Sequence, residues 1–318
     1  MPKVSIILPV YNCAQFISTC LESIIAQSFT EWECIIVNDG STDDTERICK
    51  YYADRDSRFI IAQQTNLGAP TARNAGLEIA RGKYIGFLDS DDFIHPEMYH
   101  ILVDQIDKTG ADLVLCEYTR SEQQKISFST LSRDLDTHFF NREQIFKYWF
   151  QQSNNLDMWV VWNKLYKREI IANERFANIT LGEDQDFNFR IYLKCKLAVM
   201  INATLYNWHL RNGSVTRKNG APIPVQSRFQ NLQKLVEFQN YSDRMTIREQ
   251  GYYYSRVMKN ILYCRDVAND HTLIKTSLKK LYRQFMKKYF LNMTISPLEK
   301  TAIILFYSFP LAFHKYAN

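Results

Sequence analysis

Three carboxylates fall within four residues at Asp89-Ser90-Asp91-Asp92, directly after the apolar run at residues 84–88. Like charges at that range repel, and a hard divalent cation such as Mg2+ or Mn2+ offsets the repulsion. Such an ion takes one or two carboxylates and completes its shell with substrate phosphates, so the pattern suits chemistry on a phosphorylated ligand. A capped, solvated turn uses the same residue types without a metal. Two earlier apolar runs also end in polar residues. Residues 4–10 lead into Tyr11-Asn12, where an aromatic ring either stacks on a base, a contact worth roughly 1–3 kcal/mol, or lines an ordinary rim. Residues 34–37 lead into Asn38-Asp39-Gly40-Ser41. An Asp carboxylate there accepts the N3 hydrogen of uracil, which cytosine lacks, or makes a simple turn. No glycine-rich phosphate loop follows the first run, which argues against the usual dinucleotide fingerprint.

The elements that must hold these residues alternate. Residues 14–27 carry Phe16, Cys20, Leu21, Ile24 and Ile25 at helical spacing. Ser41-Thr42-Asp43-Asp44 supplies capping groups for a helix running towards Asp54. Residues 59–62 form a short apolar run, and residues 68–81 read as an Ala-rich helix. Pro96 suits a first helical position and Gly110 a helix stop before a strand at 112–116. Repeated strand–helix–strand units predict a mostly parallel sheet, with ligands outside the carboxyl ends of its strands. The polar clusters all stand at such ends. Residues 121–152 carry a weak pattern and read as a variable loop or helical insertion, and after Pro222-Ile223-Pro224 the periodicity turns helical.

Taken together, these motifs resemble glycosyltransferase family 2. The resemblance rests on Ser5-Ile6-Ile7-Leu8-Pro9-Val10-Tyr11-Asn12, Val37-Asn38-Asp39-Gly40-Ser41-Thr42-Asp43, Asn66-Leu67-Gly68 with Ala72-Arg73-Asn74-Ala75-Gly76, and Leu88-Asp89-Ser90-Asp91-Asp92. It runs in order over roughly the first 120 residues. It implies an α/β architecture of the GT-A kind, a Rossmann-like, mostly parallel sheet flanked by helices, with a C-terminal helical region. It also implies that Pro9, Tyr11 and Asp39 hold the uracil of a UDP-sugar, with Arg73 close to the base or ribose. Asp89 and Asp91 would form a DXD-type pair, one towards the ribose and one on Mn2+ or Mg2+, with Asp91 as the metal ligand.

A further stretch, Gly182-Glu183-Asp184-Gln185-Asp186-Phe187, resembles the acidic motif that supplies the family's general base. Asp184 would deprotonate the acceptor hydroxyl with Glu183 beside it; the other use of Asp184 is to cap a helix carrying Phe187 and Ile191. Tyr206-Asn207-Trp208-His209-Leu210-Arg211 and Gly213-Ser214-Val215-Thr216 resemble the segment that closes over the diphosphate, with His209 and Arg211 adding positive charge. Trp162, in Trp162-Asn163-Lys164, is either an acceptor platform or a core residue. The reaction so implied is a displacement with inversion at the anomeric carbon. It moves a hexose or N-acetylhexosamine to a saccharide or lipid-linked oligosaccharide acceptor in bacterial surface-polysaccharide synthesis. The rival expectation is a catalytically silent sugar-nucleotide-binding partner of another glycosyltransferase, against which the intact Asp89, Asp91 and Asp184 speak.

The whole chain supports these expectations. Its 318 residues are 46% hydrophobic, enough for a sizeable core and two unequal domains, expected at 1–220 (catalytic) and 221–318 (helical). The seven cysteines contain no CxxC pair, so neither a zinc site nor a disulfide framework follows and reduced thiols in the cytoplasm are expected. The apolar opening carries Pro9, is too short for a membrane span and lacks the cleavage flank expected of a leader. The formal charge of +5 is concentrated in the tail. Lys275, Lys279, Lys280, Arg283, Lys287 and Lys288 lie between His271 and Leu298 with no Asp or Glu among them, and the body is close to neutral. A near-neutral body argues against nucleic acid as partner. Leu278, Leu281, Tyr282, Phe285 and Tyr289 recur at helical spacing beside those cations. Residues 271–318 thus read as a basic amphipathic segment, either peripheral on the inner face of the cell membrane or a helix with a solvated face.

Overall fold

Every residue of β1 (Val4–Val10) is buried, as a strand covered on both faces requires. In the computed structural model, residues 1–121, 135–151, 156–179, 182–210 and 232–267 (except 234) are described, with Lys280 and Arg283. After β1, α1 (Ile17–Ile25) buries Ile17, Cys20, Leu21 and Ile24, three and four residues apart. There follow β2 (Trp32–Asn38), α2 (Thr45–Ala53) and β3 (Phe59–Gln63). Helix α3 (Ala69–Ile79) starts after Gly68, whose φ of 91° favours glycine, and has Pro70 in its first turn. Then come β4 (Tyr84–Phe87), β5 (Phe93–Ile94), α4 (Met98–Thr109) and β6 (Leu113–Ser121). Gly110 ends α4 in the left-handed region.

Beyond β6 come β7 (Thr137–Asn141), α5 (Arg142–Gln151), α6 (Leu156–Trp159), β8 (Lys164–Lys167), α7 (Arg168–Ile171), α8 (Glu183–Tyr192) and β9 (Leu197–His209). Of these, the strands β7, β8 and β9 were not read from the sequence. Where the weak pattern at 121–152 suggested a loop or helical insertion, its described part is the strand β7 followed by the helix α5. None of the five residues of β7 is buried, and so it lacks the alternation that marks a half-buried strand. A 3-10 turn (Phe238–Arg244) and α9 (Ile247–Val267) follow.

The strand order is β3-β2-β1-β4-β8-β6-β9-β5, with β7 also on β9. Strands β1, β2, β3 and β4 pair in parallel, and β8 runs antiparallel to both β4 and β6. β6 therefore points the same way as β4, and β9 pairs with β6 in parallel. Six strands share one direction, and β5, β7 and β8 oppose it. The chain divides into two units, residues 1–145 with 155–220, and residues 146–154 with 221–318. Residues 146–154 thus pack with the later part of the chain, where Trp149 meets Phe238 and Phe150 meets Tyr253. No described helix is long and apolar enough to cross a membrane. The tail at 271–318, apart from Lys280 and Arg283, lies outside the described residues.

Candidate active site

The first three parallel strands deliver their last residues to one rim. Pro9 is buried in β1 opposite Val37, beyond the last β1–β4 pair of Ile7 with Phe87, so its missing N–H removes no bond from that ladder. Tyr11 follows, 44% exposed at the rim. Asn12 takes a φ of 44°, and its side-chain oxygen accepts the Thr42 N–H at 2.8 Å, lacing the β1 exit to the β2 exit.

Asp39 leaves β2 with its N–H on the Val10 carbonyl at 2.9 Å. Its buried carboxylate accepts three bonds, from the Gln64 amide at 2.6 Å and from the Leu67 and Gly68 N–H groups at 2.8 Å each. The residue expected at uracil N3 therefore also fixes the loop into α3. Two carboxylate oxygens offer about four acceptor positions, so one remains for a ligand.

The acidic turn after β4 divides its carboxylates. Asp92 faces inward: it is 2% exposed and accepts the Tyr206 hydroxyl at 2.5 Å and the His209 backbone N–H at 2.8 Å. Burial, and then the charges of Asp91 and Asp89, push its pKa well up, which favours a protonated acid. A raised pKa in one member eases the repulsion within the turn. Asp89 and Asp91 stay at the half-buried mouth. Among the described residues, no group of three or more His, Cys, Asp or Glu side chains is arranged to hold a metal. Asp91 with Asp89 fits the donor set of a Mg2+ or Mn2+ ion that draws its remaining ligands from phosphate.

Arg73 is the centre of the site. The sequence placed it near the base or ribose; here its 5%-exposed side chain joins the acidic turn to the α8 motif. Nη2 donates to Asp89 at 2.9 Å, and Nη1 donates to Asp184 at 3.2 Å and Glu183 at 3.3 Å. Burial alone would lower its pKa, and the three carboxylates raise it instead. One guanidinium among three carboxylates leaves excess negative charge, which suits a cationic ligand at the mouth. Arg73 is the sole basic residue of α3, and that is the signal a sequence reader had.

Asp184 sits in the first turn of α8, whose N-cap is Gly182 at φ 83° with no side-chain cap bond. The capping alternative therefore does not hold. Burial raises the Asp184 pKa to about 7, Arg73 opposes the rise, and Glu183 and Asp89 add to it. A carboxylate titrating near neutrality is matched to proton abstraction. His209 is buried at the end of β9, its ring 5.3 Å from Phe16 and its Nδ1 without a hydrogen-bond partner among the described residues. Arg211 and the stretch 213–216 lie outside the described residues. Trp162 is 4% exposed and stacks on Tyr206 at 4.2 Å, so it is a core residue.

A mostly parallel sheet whose strand ends gather an acidic turn, an aromatic rim and a second acidic helix start defines the GT-A class. The family model for glycosyl transferase family 2 matches residues 5–174, and the chain belongs to that family. It is 33% identical over 219 residues to glycosyltransferase GlyA of Streptococcus pneumoniae serotype 4, covering 68% of this chain and only 32% of GlyA. It is 30% identical over 244 residues to the glycosyltransferase EpsJ of Bacillus subtilis (strain 168), covering 76% of this chain and 71% of EpsJ. Among solved structures, S. aureus TarS 1–349 in complex with UDP-GlcNAc superposes with a TM-score of 0.64 at 20% identity, over 95% of this chain and 83% of that one. That likeness shows the shared fold.

Proposed function

We propose that this glycosyltransferase is an inverting, metal-dependent enzyme that moves a hexose or N-acetylhexosamine from a UDP-sugar to a glycan acceptor. The acceptor is of the saccharide or lipid-linked kind used in capsule, exopolysaccharide or cell-wall glycan synthesis. The observation that carries the reading is the Arg73 bridge, which brings the donor-side Asp89 and the base Asp184 to one guanidinium. Tyr11 stacks on the uracil and Asp39 accepts its N3 hydrogen with the lone pair its loop bonds leave over. The UDP-sugar in the TarS complex supports that donor class.

Asp91, with Asp89, would hold the Mn2+ or Mg2+ ion. Bound there, the ion supplies charge neutralisation to the departing diphosphate. Asp184 takes the acceptor hydroxyl proton, the freed oxygen bonds to the anomeric carbon, and the bond from that carbon to the diphosphate breaks. Arg73 keeps Asp184 and Asp89 in register, and His209 and Arg211 are assigned the role of adding positive charge to the departing diphosphate. The tail at 271–318 meets an anionic membrane surface on the cytoplasmic side. A panel of UDP-sugars tests the reading: the enzyme should release UDP from at least one of them with Mn2+ or Mg2+ present and not with EDTA. Asp91→Ala should abolish that release. UDP binding indifferent to both EDTA and Asp91→Ala would remove the metal from the proposal.

A further inference from the structure

The carboxyl ends of β6 and β9 carry a second constellation on the side of the acidic turn. A register shift between Cys116 and Tyr118 breaks their ladder, and beyond it Tyr118 pairs with Tyr206 and Arg120 with Trp208. Alternate strand residues share a face, so these four side chains lie together, and such irregularities re-aim side chains. Trp162 backs the group: its ring stacks on Tyr206 at 4.2 Å and stands edge-on to Tyr118 at 5.0 Å. Trp208 lies 6.3 Å from both Trp162 and Tyr118. Trp162 and Tyr206 are buried, Tyr118 and Trp208 half-buried, and Arg120 exposed.

The Arg120 guanidinium lies 5.0 Å from the Trp208 ring centroid and 5.7 Å from that of Tyr118, and Nη2 donates to the Tyr118 hydroxyl at 3.3 Å. None of the ion pairs among the described residues includes Arg120. Tyr206 joins this ledge to the reaction centre, since its hydroxyl donates to Asp92 and lies 3.4 Å from the Asp89 backbone nitrogen. A half-exposed indole offers a flat apolar surface to the C–H face of a sugar ring. A guanidinium held against aromatic rings keeps its fork ready for a carboxylate or phosphate.

We infer that Tyr118, Arg120 and Trp208 form the acceptor subsite, and that it takes an anionic saccharide, one bearing a carboxylate or phosphate beside a ring that stacks on Trp208. The inference rests on the transferase reading and names the acceptor class for it. Calorimetric titration of the full chain with three probes tests it: a hyaluronan hexasaccharide for carboxylate, pentamannose phosphate for phosphate, and chitohexaose as the neutral control.

At least one anionic probe should bind about tenfold tighter than chitohexaose, and Arg120→Gln should erase that preference. Trp208→Phe should keep the binding and Trp208→Ala lose it, with thermal unfolding of each variant confirming a folded protein. Which anionic probe binds identifies the charged group. Failure of both anionic probes to bind, binding no tighter than chitohexaose, or a preference that survives Arg120→Gln overturns the subsite. UDP release from a UDP-sugar by the unaltered protein, read in parallel, separates the two levels: its loss would count against the transferase reading, and its presence beside charge-indifferent saccharide binding against the ledge alone.

Discussion

Asp184 has two competing neighbours. Arg73 favours its carboxylate form, while burial and the charges of Glu183 and Asp89 favour the acid, and the acid side wins, to about 7. A base must be ionised, so transfer (kcat/KM) should rise with pH through about 7, in a pH–rate profile of the unaltered enzyme. Asp184→Asn should bind UDP as the parent does, by calorimetry, yet lose transfer by about 10²–10⁴-fold. Parent-like transfer would exclude Asp184 as the base. Stability carries the same signature. Because the folded pKa lies above the ordinary 3.8, the fold favours the protonated form, and that stabilisation is lost as pH rises from about 4 through 7. Asn stays neutral, so Asp184→Asn should raise the melting temperature more at pH 8 than at pH 5. Equal shifts at both pH values in a thermal unfolding series would contradict the raised pKa.

At the scale of elements, α3 brings Arg73 to the rim only because it lies close on β1. Gly76, one turn after Arg73, faces Ile7, and a Cβ there would come within 2.5 Å of the Ile7 Cγ2 atom. Ile7 is buried and branched at Cβ, so it has little freedom to yield. Gly76→Ala should therefore cost about 1–3 kcal/mol of stability in denaturant unfolding and should also slow transfer, since the helix must shift. An unchanged midpoint would mean that β1 and α3 pack less tightly than described. The loops between elements are equally specified: Asp39 anchors the start of α3, and Asn12 ties the exits of β1 and β2.

For the whole molecule, charge is the informative quantity. The rim that gathers Asp39, Asp89 and Asp91 is acidic, while Lys275, Lys279, Lys280, Arg283, Lys287 and Lys288 make the tail basic. Anionic lipid attracts such residues by about 1 kcal/mol each near the surface, an attraction that salt screens. The full chain should float with phosphatidylserine liposomes at low salt and release as salt rises, and changing the six cations to Gln should abolish flotation. Flotation that ignores both salt and those six charges would point away from an electrostatic anchor.

How much was legible without the fold follows from where each signal resides. The parallel strands at the start of the chain are local apolar runs, and the acidic residues at their ends are contiguous in the chain. Their order and chemistry were therefore readable, and so was the family. β7 and β8 were not, because their stability comes from pairing with β9, β4 and β6 and not from an apolar pattern of their own. Nor could spacing tell that Asp92 turns inward to Tyr206, 114 residues away, or that Arg73 meets Asp184 across 111 residues. The amino-acid order determined which charges exist and which strands carry them. Only the tertiary structure decided which charges become neighbours, since Coulomb energy and burial depend on distance in space and not along the chain.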